Sequence, residues 1–180
     1  MTRVVRTLIA TALCMALAAP AVAAQPSHPR VEKSTFTQHN VVTDEAACGD
    51  YGVVWDINLT ADVFTFFDRE GRRTKAVLHI REDNTVTNTV TGLTLPDAPV
   101  NFVQTEFYDA DTGIREKIFI VGTSVNVRRG NERLVDRGPI LLDGQTFDIL
   151  WSVGPHPVRE LVQGGGGLQQ ALPAFCDILE

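Results

Sequence analysis

The histidines of this 180-residue chain are too scattered to form a metal site. There are four of them, and none has a second histidine, a cysteine or an acid at the spacing that a zinc or transition-metal ligand set requires. They are His28, His39, His79 and His156. We therefore assign no metal ligands, and nothing in the sequence calls for a cofactor.

The acidic segment Asp109-Ala110-Asp111-Thr112-Gly113 resembles the start of a calcium-binding loop, because a hard cation prefers several carboxylate oxygens from one short segment. When Asp109 is counted as the first ligand, the position that should supply a bidentate glutamate is Ile120, inside a predicted strand. The missing ligand favours a hairpin turn, in which Gly113 can take the positive φ that such a turn needs.

No arrangement typical of nucleophilic catalysis or of phosphate binding occurs in the sequence. It contains no Gly-x-Ser-x-Gly elbow, and the glycine run at 164–167 lacks the lysine and the hydroxyl residue that complete a phosphate loop. Asp56, Glu106 and Asp148 could meet across strands for acid-base chemistry, but a chain with 22 acidic residues offers many such triples. We assign no catalytic residue.

The composition is that of one ordinary globular domain without a nucleic-acid partner. Hydrophobic residues make up 44% of the chain and charged residues 21%. With 16 basic and 22 acidic residues the net charge is −6, so no basic surface is available to hold phosphates or anionic lipid.

The first 24 residues have the order of a secretory signal peptide. Two arginines precede an apolar run from about Leu8 to Ala19, and small residues at 21–24 follow it. The run is shorter than the roughly 20 residues that a bilayer-spanning helix needs. We expect cleavage after Ala23 or Ala24, a secreted, extracellular protein and no membrane span in the mature form.

Export determines how the three cysteines can be used. Cys14 would leave with the signal peptide, so Cys48 and Cys176 are the cysteines of the mature chain. An oxidising compartment favours a disulfide between them, with two free thiols or a metal pair as the alternatives. Two thiols without a clustered histidine make a poor zinc site. We therefore predict a Cys48–Cys176 disulfide that ties the first part of the fold to the last.

The elements that must position these residues are predicted to be strands. We expect a mobile lead-in at residues 25–33 and a single domain at residues 34–180, in which turn residues interrupt β-branched and apolar runs about every ten positions. Apolar and polar residues alternate most clearly in Val53–Thr60. Further strands are predicted over Asp62–Phe67, Lys75–Glu82, Thr85–Thr91, Val100–Tyr108, Ile114–Val127, Leu134–Leu142 and Gln145–Val153.

The connections favour a closed barrel. Asp143-Gly144 predicts a two-residue type I′ turn, two prolines predict a loop over Gly92–Pro99, and Leu168–Leu179 is a helix candidate. Consecutive hairpins favour a single up-and-down β-barrel of about eight strands, similar to calycin and allene oxide cyclase barrels, because closure removes exposed edges. A Greek-key β-sandwich is the alternative.

Five apolar residues on the predicted strands could line a ligand pocket in such a barrel. An eight-stranded barrel either fills its interior with side chains or holds one small ligand, and both outcomes stay open here. The candidate ligand-binding residues are Trp55, Phe66, Leu78, Phe147 and Trp151.

Five short motifs are spread over most of the mature chain. They are Cys48-Gly49 with Tyr51, Phe66-Phe67-Asp68-Arg69-x-Gly71, Thr87-Asn88-x-x-Thr91-Gly92, Gly154-Pro155-His156 and Phe175-Cys176. As a set they resemble a family of small secreted all-β proteins of actinobacteria. The resemblance implies secretion, pairing of Cys48 with Cys176 and an all-β fold. That family has no assigned activity, so the resemblance implies no catalytic residues.

These observations favour a non-enzymatic secreted protein that binds a small apolar ligand or a partner in the cell envelope. The alternative is a barrel enzyme of the isomerase or hydrolase type, with an interior polar site built from residues such as Asp56, Glu106, Asp148 and His156. Catalysis requires that such groups point into one common space.

Overall fold

The computed structural model of the chain describes residues 28–45, 47–154, 156 and 173–180. The predicted signal peptide at residues 1–24 lies outside this part of the chain. The first strand begins at Arg30, so residues 30–33, which were expected to belong to a mobile lead-in, are part of a strand. No helix in the described residues is long and apolar enough to cross a membrane.

Eight strands and one short helix make up the described chain. They are β1 (Arg30–Asp44), β2 (Val53–Phe67), β3 (Arg73–Asn88), β4 (Thr94–Tyr108), β5 (Arg115–Arg129), β6 (Glu132–Arg137), β7 (Ile140–Asp143), β8 (Ile149–Ser152) and α1 (Pro173–Leu179).

The strands form one antiparallel sheet in the order β1-β2-β3-β4-β5-β7-β8. β5 is long enough to pair with two successive strands, with β7 along Lys117–Ile120 and with β6 along Thr123–Arg129. The all-β class, the antiparallel pairing of eight strands and a C-terminal helix are confirmed. Residues 168–172 of the predicted helix lie outside the described part of the chain. β1 and β8 lie at the two ends of this order and no pairing joins them among the described residues, so closure into a barrel is not confirmed.

The register defines two faces, because residues directly opposite each other on antiparallel strands point to the same side. We call the side that carries Trp55, Val86 and Leu95 the inner face, since these residues pack with Phe175 of α1. The side that carries Thr60, Arg81 and Asn101, each opposite the next, is the outer face.

The main core lies where α1 covers one end of the inner face. Trp55 and Phe175 stack with parallel rings whose centres are 5.3 Å apart, and Val53, Val86 and Val127 are fully buried around them. Burying such side chains stabilises a fold by about 1.5 to 3 kcal/mol each.

The predicted disulfide between Cys48 and Cys176 is present, with their Cα atoms 5.5 Å apart, and it joins the β1–β2 connection to α1. The Tyr51 hydroxyl strengthens the same junction by donating to the Cys176 carbonyl at 2.5 Å.

A smaller apolar cluster lies towards the other end of the inner face. Ile118 and Ile120 of β5 and Ile140 and Leu142 of β7 are buried, with Phe102 packed against them. These pairs are adjacent because Ile118 lies opposite Leu142 and Ile120 opposite Ile140.

Several strand boundaries differ from the predicted ones. The predicted strands on either side of Ala61 are one strand, β2, and those on either side of Asp83 are one strand, β3. The predicted loop over Gly92–Pro99 ends at Thr94, where β4 begins, and the register with β3 shifts just beyond Asp97. Pro99 is accepted there because it lies in the irregularity, where the backbone needs no ladder hydrogen bond.

The strand predicted over Leu134–Leu142 is two strands, because Gly138 interrupts it with a φ of +127°. The predicted two-residue turn at Asp143-Gly144 is also wrong. β7 ends at Asp143 and β8 begins at Ile149, and the Asp143 carboxylate accepts the backbone N–H groups of Gln145 and Thr146. That carboxylate stabilises a longer loop, in which Phe147 takes the positive φ of +62°.

The acidic segment after β4 is the hairpin turn that the sequence favoured. The Asp109 carboxylate accepts the N–H groups of Asp111 and Thr112 and the hydroxyl of Thr112, and Gly113 has a φ of +71°. These hydrogen bonds lower the pKa of Asp109. Ile120 lies in β5, as predicted, and its side chain is buried.

Candidate functional site

A well-formed depression on the outer face crosses four strands, β1 to β4. Its volume is about 830 Å³, and it is open to solvent along its length. A second depression of about 440 Å³ continues it towards β5 and shares Arg81 and Asn101 with it. We call the two together the outer groove. Since neighbouring strands lie about 4.8 Å apart, a groove that spans five strands is about 19 Å long.

Planar polar side chains dominate the outer groove. Arg81 and Asn101 lie directly opposite each other on β3 and β4, and both are exposed. His39 of β1 lies opposite Asn58 of β2 in the same way. These groups are brought together by the register alone, because they come from four different strands.

Two small hydrogen-bonded sets fix these side chains in place. His39 Nε2 lies 2.9 Å from Asp56 Oδ1, an oxygen that also accepts from the Asn58 amide at 3.3 Å. Arg81 Nη2 donates to Asp62 Oδ2 at 3.0 Å, and the Thr35 hydroxyl donates to Asp62 Oδ1 at 2.6 Å. The rim of the groove is therefore oriented by side-chain contacts between strands.

The hydroxyl of Thr35 lowers the pKa of Asp62, and the charges of Lys33 and Arg81 add to this effect. Partial desolvation acts in the opposite direction and does not cancel it. A carboxylate held ionised in this way keeps Arg81 directed over the groove through an ion pair.

On the inner side of the sheet, beneath the groove, the buried side-chain amide of Asn84 replaces a backbone hydrogen bond between strands. The Asn58 N–H donates to Asn84 Oδ1 at 3.1 Å, in place of a carbonyl of β3. The amide of Asn84, which is 3% exposed, donates to Glu82 at 2.8 Å and to Asp97 at 3.4 Å. The gap in backbone pairing between β2 and β3 thus lies at the groove, and the Asn84 side chain bridges it.

Asp97 extends this network to β5. Its Oδ1 accepts the Asn126 N–H at 2.5 Å, and the Asn126 amide donates to the carbonyls of Ala98 and Pro99 at 3.1 and 3.2 Å. Ala98 and Pro99, which are joined by a cis peptide bond, form one wall of the groove. Burial raises the pKa of Asp97, although its hydrogen bonds to Asn126 and Asn84 act against the shift.

Aromatic rings adjoin the far end of the groove. Phe64 and His79 contact each other edge to face with centres 5.7 Å apart, and both line the second depression. Phe64 begins a row of facing residues across the outer face, which continues through Val77, Thr105, Phe119, Leu141 and Trp151. The outer face therefore changes from polar to apolar along the strands.

The five predicted ligand-binding residues do not meet in one pocket. Trp55 and Leu78 are on the inner face, but Leu78 lies opposite Val63, about 26 Å along β2 from Trp55. Phe66 and Trp151 are on the outer face. Phe147 lies in the turn before β8, where Arg115 covers its ring at 5.0 Å.

The acids that could have met for catalysis are also apart. Asp56 faces His39 on the outer face, and Asp148 accepts from the Thr146 hydroxyl in the exposed turn before β8. Glu106 is on the inner face, where its carboxylate accepts from Arg115 at 3.0 Å and from Gln104 at 2.8 Å.

Glu106 is the centre of an ion cluster that sequence reasoning did not anticipate. Besides Arg115 and Gln104, its carboxylate accepts from Arg73 at 3.4 Å and from the Tyr108 hydroxyl. Burial, followed by the contact with Glu106, raises the pKa of Tyr108 to about 12. The carboxylate is fully engaged, so this cluster is a structural clamp between β3, β4 and β5.

His156 belongs to a second buried set. Its Nδ1 lies 3.1 Å from Asp136 Oδ1 and its Nε2 lies 3.1 Å from the Val153 carbonyl, while the Ser124 hydroxyl donates to Asp136 Oδ1 at 2.8 Å. A nucleophilic serine would donate to the imidazole, so this geometry differs from a catalytic triad. It ties the residues after β8 to β5 and β6.

The described part of the chain contains no group of three or more histidine, cysteine, aspartate or glutamate side chains arranged to hold a metal ion. Among the residues that the structure describes, the outer groove is the site best suited to a ligand. No single sequence motif marks it, because each strand contributes one or two ordinary polar residues.

Comparisons with protein-family models, with curated proteins and with solved structures found no match to this chain. The resemblance to small secreted actinobacterial β proteins therefore stays a prediction.

Proposed function

We propose that this protein is a secreted, non-enzymatic binding protein whose outer groove holds an extended carbohydrate chain of the cell envelope. The observation that carries the proposal is the row of planar polar side chains along an open groove about 19 Å long. Of the two ligand classes expected from the sequence, this geometry favours the envelope partner over the small apolar ligand.

The shape of the groove supports an extended ligand. Sites for small molecules enclose most of the ligand surface, whereas this groove is open along one side. A chain of repeating units can lie in it and contact one strand after another.

The chemistry of the groove supports a ligand rich in hydroxyl groups. Each hydroxyl both donates and accepts hydrogen bonds, and the amides of Asn58 and Asn101 offer both functions. Arg81 adds donors, and the nearby rings of Phe64 and His79 offer flat apolar surface for the less polar side of a sugar ring.

Secretion also supports the proposal. An intramolecular disulfide is compatible with an oxidising extracellular compartment, which is where the predicted signal peptide would send the chain. Envelope glycans are present in that compartment.

The test is a binding titration with linear hexasaccharides of glucose, N-acetylglucosamine, mannose and arabinose, followed by calorimetry. We expect at least one to bind, and the double variant R81A/N101A to lose at least ten-fold in affinity, because two central hydrogen-bonding groups are removed.

The matched control is R128A/N131A, which makes the same two changes at exposed positions outside the groove. It should bind like the unaltered protein. If no hexasaccharide binds, or if both double variants lose affinity equally, the proposal is wrong.

A further inference from the structure

β1 is a long edge strand with one side free. All of its 15 residues are exposed except Asn40 and Asp44, which are half-buried. It pairs with β2 on one side, and no described strand pairs with the other. An edge strand of this kind presents a row of unpaired backbone N–H and C=O groups that can pair with another chain.

The middle of β1 lacks the features that normally protect such an edge. The strand contains no proline, and its register with β2 runs through all 15 pairs without a bulge. Between Ser34 and Thr43 it has no lysine, arginine or acid. Natural sheets usually prevent edge pairing with bulges, prolines or charges along the edge.

We propose that the free edge of β1 pairs with β1 of a second copy of this chain, in an antiparallel two-fold arrangement centred on Phe36. The inference does not rest on the proposed function. Such an interface is isologous, because each copy contributes the same strand.

The side chains of β1 are nearly self-complementary about Phe36. In this register Phe36 faces Phe36 of the second copy, Thr35 faces Thr37, and Val31 faces Val41. Val31, Phe36 and Val41 are 53%, 40% and 59% exposed in one chain, which are high values for large apolar side chains. Pairing would bring Phe36 against its copy on the inner face and Val31 against Val41 on the outer face.

The charges at the ends of the strand also fit this arrangement. Arg30, which pairs with Glu32 at 3.2 Å in the single chain, comes diagonal to Asp44 of the second copy, and the symmetry gives two such approaches. Glu32 faces Asn40, so no acid lies opposite an acid. A register shifted by two residues either way places Val31 opposite Thr43 or His39 and loses the apolar match.

The mass of the protein in solution, measured by sedimentation equilibrium across the micromolar range, tests the dimer. The unaltered chain should have twice the monomer mass, and Phe36→Lys should be monomeric because it places two like charges on the axis. Val90→Lys is the control, since Val90 is 72% exposed in the β3–β4 turn and far from the edge.

Cysteine cross-linking tests the register and does not depend on the lysine variant. Phe36→Cys should form an interchain disulfide under mild oxidation, because the two copies of residue 36 face each other. Val31→Cys should not cross-link to itself, since its two copies lie about 33 Å apart along the strands. A monomeric unaltered chain, a dimeric Phe36→Lys variant or equal cross-linking of the two cysteine variants would overturn the proposal.

Discussion

The helix-covered end of the inner face and the outer groove differ in how they use side chains. The first buries Trp55, Phe175 and four valines and is closed by the disulfide. The second holds polar groups at the surface through hydrogen bonds between exposed residues, such as that from Arg81 to Asp62. The residues that pack the core are therefore not those that line the outer groove, and it should be possible to change either set without the other.

The largest expected effect is removal of the disulfide. The Cys48→Ser/Cys176→Ser variant removes a cross-link between residues 128 positions apart. Because the unfolded chain then gains conformational entropy, we expect the free energy of unfolding to fall by about 5 kcal/mol. Urea denaturation of the variant measures this. A loss below about 1 kcal/mol would show that the helix-covered core holds α1 without the covalent bond.

The next largest effect should come from truncating one aromatic ring on each face and comparing the losses of stability. Phe175→Ala removes a ring that is 1% exposed and stacked on Trp55, and we expect a loss of about 3 to 5 kcal/mol. Phe107→Ala removes an outer-face ring that is 39% exposed, so we expect a loss below about 1 kcal/mol. Equal losses in urea denaturation would mean that the outer face is as tightly packed as the core.

The contrast between the regions also explains which strands the sequence predicts. Val53–Thr60 shows a clear period of two because one of its faces is in the core. β1 gives no such signal, since both of its faces are exposed and polar residues dominate them. The predicted strand ends near Ala61 and Asp83 are wrong, because β2 and β3 continue without a break through polar residues at the groove.

The disulfide and the turn at Asp109 were accessible to sequence reasoning because each depends on few residues and local chemistry. The outer groove was not, since Arg81 and Asn101 meet only through the register of two strands. The predicted apolar pocket fails as one site for the same reason. Trp55 and Phe66 point to opposite faces as soon as β2 is recognised as one strand.

Asp97 gives a prediction about pH for the buried network behind the groove. Its pKa is raised by burial, so between its ordinary value of 3.8 and its folded value the folded state binds more protons than the unfolded state. The free energy of unfolding should therefore fall as pH rises through this window, by about 1.4 kcal/mol per pH unit at most.

The Asp97→Asn variant cannot titrate and should lack this decline. Urea denaturation of both proteins at several pH values from 3.5 upward gives the comparison. If the difference in the free energy of unfolding between the two proteins does not vary with pH, the pKa of Asp97 is not raised and its protonation does not affect stability.

Asp62 should show the opposite sign and the smallest effect, because it lies in the exposed rim of the groove. Its pKa is lowered, so its contribution to stability is present above its ordinary value of 3.8 and is lost as pH falls through its folded value. Asp62→Asn should therefore be slightly less stable than the unaltered protein at neutral pH and equal to it in acid.

Thr35→Val removes the hydroxyl that contributes most to lowering the pKa of Asp62 but keeps the Asp62 carboxylate. The effect of Thr35→Val on stability should therefore largely disappear in the Asp62→Asn background. Additive effects of the two changes on the urea midpoint would show that Thr35 and Asp62 act independently, and that the rim of the groove is less ordered than its hydrogen bonds imply.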